Sequence, residues 1–227
     1  MILECRIYLH MVVKMNLLHS NGGWIQMRIE RDMVGSESIA ENVYYGLQSL
    51  RAAQNFHITG RGLILEFIES LAQIKKAAAI VNGESGRLDA RRRDAIVQAC
   101  DEILSGSFRD QFITDAIQGG AGTSANMNVN EVIANRAIEI LGGEKGDYSI
   151  VHPNDHVNMC QSTNDVIPTA GKMTVLKLMR GANMQMQRLS AALAVKEKEF
   201  DHILKMGRRC RTPYRSALGR NSAHTAR

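Results

Sequence analysis

Three polar, glycine-bearing stretches hold the side chains best suited to chemistry: residues 118–128 (QGGAGTSANMN), 152–158 (HPNDHVN) and 161–165 (QSTND). Their hydroxyls belong to Thr123, Ser124, Ser162 and Thr163, and their amides include Asn128, Asn158 and Asn164. The first and third stretches each lead into a predicted helix, and the second leads into the third. N–H groups at a helix start are unpaired and carry partial positive charge. Hydroxyls and amides set there make a receptor for a carboxylate or phosphate. Plainer roles stay open at this point: Ser162, Thr163 and Asn164 would also serve as simple N-caps, and Thr123 and Ser124 as turn residues.

Other chemistries fit less well. Gly120-x-Gly122-x-x-Ala125 matches a dinucleotide fingerprint in form, but that motif needs a preceding strand inside a βαβ unit, and residues 108–117 make a poor strand between helical neighbours. A Walker A loop would need Gly-Lys-Ser/Thr. His152 and His156 have the i, i+4 spacing of a helical metal pair, yet Pro153 between them argues against a regular helix. No metal or cofactor is therefore expected.

The elements that must carry these stretches read as mainly α. Ser36 and Ser38 are candidate N-caps for a helix through Ala40, Val43, Leu47 and Leu50. Residues 63–80 place apolar side chains at i, i+3, i+4 and i+7, with Asn82-Gly83 as the stop. A third helix is predicted over 89–104, closed by Gly106, and a fourth over about 128–141, closed by Gly142-Gly143. The fifth runs over about 164–204, with Pro168 in its first turn, where a missing N–H costs little. At 1.5 Å per residue such a helix is about 60 Å long, a rod expected to belong to a bundle shared between subunits.

Bulk properties narrow the function class. Of the net charge of +5, residues 207–227 supply six arginines and no acid; the remainder holds 22 basic and 23 acidic residues. The basic character thus belongs to a tail, and no nucleic-acid partner is expected without a basic face and stacking aromatics. Cys5, Cys100, Cys160 and Cys210 form no CxxC pair, which points to a reducing, cytoplasmic setting. The first twenty residues are interrupted by His10 and Lys14, so neither a signal peptide nor a membrane span is predicted.

Longer stretches carry a family likeness. ENVYYGLQSLRAAQNFHITG, GGAGTSANMNVNEVIANRA and HPNDHVNMCQSTNDVIPTA, within residues 27–208, strongly resemble the aspartate ammonia-lyases of the fumarase/aspartase superfamily. Class II fumarases, close relatives, typically read GSGTQSNMN, YWGAQT and SSND where this chain has GGAGTS, YYGLQS and STND. The chain sides with the aspartases, and a fumarate hydratase-like lyase is the alternative. The resemblance implies the N-terminal helical domain of that fold (residues 27–163) followed by the first long helix of its central bundle (residues 164–206). It implies conversion of L-aspartate to fumarate and ammonia through an aci-carboxylate, without a cofactor, in a homotetramer. By the same analogy Thr123, Ser162, Thr163 and Asn164 bind substrate, and Ser124, Asn128, His156 and Asn158 support them.

Two departures set further expectations. Residues 1–26 differ in style from the rest of the chain; Met27 opens a plausible mature start, and Gly22-Gly23 is encodable by a ribosome-binding-site-like sequence, so these residues are expected to be a translated leader. After residue 208 the family pattern stops. LQDAVPIRLGQEF, written in codons and read one base out of register, can give CRTPYRSALGRNS, residues 210–222 here. A frameshift near codon 209 is therefore expected, making 207–227 a disordered tail. The proton-abstracting Ser loop of the family lies downstream of this point. A catalytic residue is accordingly assigned to none of these positions, and the chain as written is expected to be inactive, a broken-frame product of an aspartase lineage.

Overall fold

The computed structural model describes residues 17–20, 23–32, 34–206 and 215–217. Two compact units divide the chain at Thr174/Val175. The first opens with an antiparallel sheet of β1 (Leu17–Ser20), β2 (Gly23–Arg31) and β3 (Ser36–Ala40), in that order. The helix expected from Ser36 is thus a strand up to Ala40. The Asp32 carboxylate accepts from Val34 N–H and Gly35 N–H, turning the chain back on itself. β3 then pairs with β2 from Arg31↔Ser36 to Met27↔Ala40, burying Ile39. Cross-strand pairing overrides the helical spacing. β2 also runs unbroken through Met27; residues 1–16, 21 and 22 of the expected leader lie outside the described residues.

Helix α1 (Leu47–Asn55) starts only after Gly46. It is followed by α2 (Leu65–Glu84), α3 (Ala90–Leu104), a 3-10 turn (Arg109–Gln111) and α4 (Thr123–Ile140). α2 passes the expected stop at Asn82-Gly83. The Asn82 side chain is buried and donates to Met159 C=O at 3.0 Å, so it need not turn on its own backbone. The end comes at Gly86, left-handed at φ 73°, where Gly86 N–H meets Gly83 C=O and Arg87 N–H meets Asn82 C=O. Asp89 caps α3 through Arg92 N–H at 3.0 Å. Leu71, Ala72, Ile96, Ala99, Val129, Val132 and Ile133 form the centre of the α2–α3–α4 core.

A π-helical turn (Pro153–Val157) leads into α5 (Thr163–Glu199), whose 37 residues span about 55 Å. Pro168 is the sixth residue of α5, inside the helix rather than in its first turn, and it deprives Asn164 C=O of its helical donor. Val166, Ala170 and Thr174 bury the first part of α5, and Thr174 Oγ1 ties it to Ser70 Oγ of α2 at 3.2 Å.

The second unit contains the rest of α5 and an antiparallel pair of β4 (Leu204–Met206) with β5 (Arg215–Ala217). Residues 215–217 pair with 204–206; the other residues of the expected tail, 207–214 and 218–227, lie outside the described residues. In this unit α5 exposes Val175, Leu176, Leu178, Met179, Met184, Met186, Leu189 and Val195.

Candidate active site

The starts of α4 and α5 meet. Gly122, at φ 84°, precedes α4 in a left-handed conformation that suits glycine. A Cβ there would lie 3.0–3.1 Å from three side-chain atoms of Ile167, so the backbone of one helix start abuts the second turn of the other. Asn126 of α4 closes the junction, donating through Nδ2 to Thr163 Oγ1 at 3.2 Å. α4 begins at Thr123, five residues before the expected start at Asn128. Gln118 Oε1 takes up Ala125 N–H at 2.6 Å, and the asparagines that read as loop residues are buried against tertiary partners instead.

All four residues expected to bind substrate lie at this junction. Thr123, Ser162 and Asn164 are exposed and Thr163 is half-buried. Ser162 Oγ accepts from Asn164 N–H at 3.2 Å and so caps α5, which leaves its hydroxyl proton to donate outward. Gly122 offers α4 no side-chain cap. Ser124 is half-buried beside Thr123.

The residues expected to support the site have separate tasks. Asn158 is a hub: its Oδ1 accepts from Lys75 Nζ at 2.6 Å, Asn126 Nδ2 at 3.1 Å and Asn130 Nδ2 at 3.4 Å, while its Nδ2 donates to Gln161 C=O at 3.0 Å. Asn128 faces elsewhere, fully buried, and clasps Gln111 C=O at 3.0 Å. His156 Nδ1 accepts from His152 N–H at 2.8 Å, and His152 Nδ1 accepts from Asn154 and Asp155 N–H, so both rings fasten the π turn. Burial holds the His156 imidazole below its ordinary range, and the Arg92 guanidinium adds to this. Among the described residues no three His, Cys, Asp or Glu side chains are grouped to hold a metal ion.

Lys75 is the member that sequence reasoning passed over. It is fully buried on α2, and desolvation lowers its ammonium to about 7. The available signal was its place in the apolar stripe Leu71–Lys75–Ala79, where a cation must find a buried partner. Asn126 and Asn130 were missed for a related reason, since an Asn pair at i, i+4 reads as polar surface until its partners are known.

A third helix start is occupied from within. The buried Glu131 carboxylate accepts from Gly46, Gln48 and Ser49 N–H and from Ser49 Oγ, and Glu30 accepts from Leu47 N–H. A Cβ on Gly46 would sit 2.4 Å from the Tyr148 hydroxyl and 2.7 Å from Glu131, so only glycine lets this approach form. Burial raises the Glu131 carboxyl above its ordinary range, against the pull of its Ser49 and Gln48 donors. The YYGLQS segment therefore builds an internal carboxylate site, while the starts of α4 and α5 carry exposed hydroxyls.

The arrangement at α4 and α5 can hold an anion by N–H groups and hydroxyls, with the Lys75 ammonium two amides behind the surface. A lyase family profile matches residues 35–213. An aspartate ammonia-lyase of Bacillus subtilis is 53% identical over 186 residues, covering 82% of this chain and 39% of that protein. The solved fumarate lyase:delta crystallin of Brucella melitensis bound to cobalt is 44% identical with a TM-score of 0.81, over 88% of this chain and 44% of that one. A recombinant class II fumarase from Schistosoma mansoni is 35% identical with a TM-score of 0.76, over 88% and 43%. The chain spans about 39% of the length of the curated relatives it matches.

Proposed function

The chain belongs to the lyase family, within the fumarase/aspartase superfamily, and from that premise we propose that the whole protein is an aspartate ammonia-lyase, converting L-aspartate to fumarate and ammonia. The observation that carries this is the junction of the α4 and α5 starts, where Thr123, Ser162, Thr163 and Asn164 gather around Gly122 and Asn126. Aspartase is favoured over fumarase by the STND and GGAGTS wording and by 53% identity to an aspartase against 35% to a fumarase.

In the reaction a base takes a proton from Cβ of aspartate. The electron pair moves into the adjacent carboxylate as an aci-carboxylate, then forms the double bond as the Cα–N bond breaks and ammonia leaves. The intermediate concentrates two negative charges on one carboxylate. Short hydroxyl donors at helix starts answer that charge, and one well-placed donor of this kind contributes about 2.7–4 kcal/mol to the transition state. Because the hydroxyls and N–H groups are neutral, they bind the singly charged ground-state carboxylate less strongly than the dianion, which is the differential binding that catalysis requires.

The homotetramer and a cytoplasmic location belong to the same proposal. The apolar row on α5 from Val175 to Val195 supports the first. Among the described residues no helix is long and apolar enough to cross a membrane. The catalytic proposal is tested with Thr123→Ala and Ser162→Ala combined in the whole protein. Ammonia release from aspartate is expected to fall at least 100-fold in kcat/KM. Unchanged turnover would remove the site, and turnover of malate in place of aspartate would make the protein a hydratase.

A further inference from the structure

The site hydroxyls stand on two separate helix starts, so the gap between α4 and α5 decides where they point. One link draws the starts together: Asn126 Nδ2 donates to Thr163 Oγ1 at 3.2 Å. A hydrogen bond is soft in length, since N–H···O distances spread over about 2.7–3.2 Å. Such a tether limits the gap without fixing it.

The second link is a stop. Ile167, one turn along α5 from Thr163, lies so close to Gly122 that a Cβ there would meet its Cγ1, Cγ2 and Cδ1 at 3.0–3.1 Å. Repulsion between touching atoms rises steeply, so this contact sets a distance more sharply than the hydrogen bond does. Neither side of the contact yields. Ile167 is β-branched and has one strongly preferred χ1 in a helix. It packs against the core, and its neighbours Val166 and Ala170 are buried. Gly122 is held by α4: its C=O accepts from Asn126 N–H at 3.1 Å, and Gln118 Oε1 accepts from Ala125 N–H at 2.6 Å.

We propose that Ile167 is a positioning residue for the reaction: pressed against the bare backbone of Gly122, its side chain sets the separation of the two helix starts, and so the placement of Thr123 relative to Ser162, Thr163 and Asn164. The proposal rests on the aspartase reading of this site and adds an apolar residue that acts through the helix starts. Packing alone would be served by any apolar side chain of similar volume. Spacing depends on the atoms presented to residue 122. Because the donors are aimed at the doubly charged intermediate, a wrong gap costs turnover more than substrate binding.

The test is a suppressor experiment. In the whole protein Gly122→Ala adds the Cβ and forces a shift of a few tenths of an ångström. This should lower kcat roughly ten-fold, less than the roughly 100-fold that a misplacement of about 1 Å costs, with KM for aspartate within about three-fold. Ile167→Ala removes all three touching atoms, so adding it to Gly122→Ala should raise kcat again by at least about three-fold. Gly142→Ala is the control: at the far end of α4, Gly142 has the same φ of 84° and nothing within 4 Å. It carries the left-handed backbone strain alone, and should lower thermal stability while leaving kcat unchanged. In the 227-residue chain the Asn126 side-chain amide protons should move upfield in Gly122→Ala, return in the double variant and stay in place in Gly142→Ala. Should Ile167→Ala not fold, Ile167→Val, which drops Cδ1 alone, gives a smaller recovery of the same sign.

Full kcat and an unmoved Asn126 amide in Gly122→Ala would overturn the proposal. So would an equal loss in Gly142→Ala, or a double variant no better than Gly122→Ala. If wild type fails to deaminate aspartate, the functional reading fails, and the amide shifts alone judge the spacing.

Discussion

The burial of Lys75 makes a prediction about stability that is independent of any activity. Its ammonium falls from an ordinary 10.5 in the unfolded chain to about 7 in the folded one, because the folded protein removes it from water and supplies only the Asn158 amide in return. Between these values the unfolded chain binds more protons than the folded one, so stability rises with pH across the window. The folded value lies below the unfolded one. The contribution is therefore complete above about pH 10.5 and is lost as pH falls toward 7. A difference of three to four units corresponds to about 4–5 kcal/mol. Lys75→Met has no proton to bind and lacks this dependence, so pH effects from other groups cancel in the comparison. Urea unfolding of both proteins at pH 6.5, 8 and 9.5 reads the result. Lys75→Met should gain on wild type at the lowest pH, and the gap should shift by several kcal/mol toward wild type at the highest. Stability curves that stay parallel within about 1 kcal/mol would show that Lys75 is hydrated, and the reasoning from burial would be wrong.

Glu131→Gln should cost about 2–4 kcal/mol in chemical unfolding, since a carboxamide turns an N–H₂ toward donors at the start of α1 that Glu131 now satisfies. A loss below 1 kcal/mol would mean that water already serves those N–H groups. Sedimentation equilibrium of the purified whole protein should give a tetramer, and replacing Leu176, Met179 and Met186 by Glu should shift it to smaller species; a monomeric wild type would end the tetramer proposal.

Helix content was legible where one face is continuously apolar. α3 lies where Asp89 and Gly106 predict it, and α4 ends at the predicted Gly142. The errors share one physical cause: a residue's local preference was outweighed by a partner distant in sequence. Ser36–Ala40 became a strand because β2 was there to pair with it. Asn82 stayed helical because Met159 accepts its side chain, and residues 123–127 joined α4 because Gln118 satisfies Ala125 N–H. At the candidate site the hydroxyls were readable, since Ser and Thr before a helix are informative wherever they occur. The layer beneath them was not. Lys75, Asn126 and Asn130 come from separate helices, and their shared acceptor, Asn158 Oδ1, exists only after folding. Asn158 itself entered through the family resemblance, with no contact to explain why.

The carboxylate of Glu131, locked against the start of α1, also governs stoichiometry. A dicarboxylate arriving from solution finds that pole already occupied, by a carboxylate tethered to the backbone that an external one must outcompete. Of the α1, α4 and α5 poles, the α1 pole is the one already filled by a carboxylate of the chain itself. Titration with a small dicarboxylate should accordingly saturate without a second, weaker phase arising from this part of the fold.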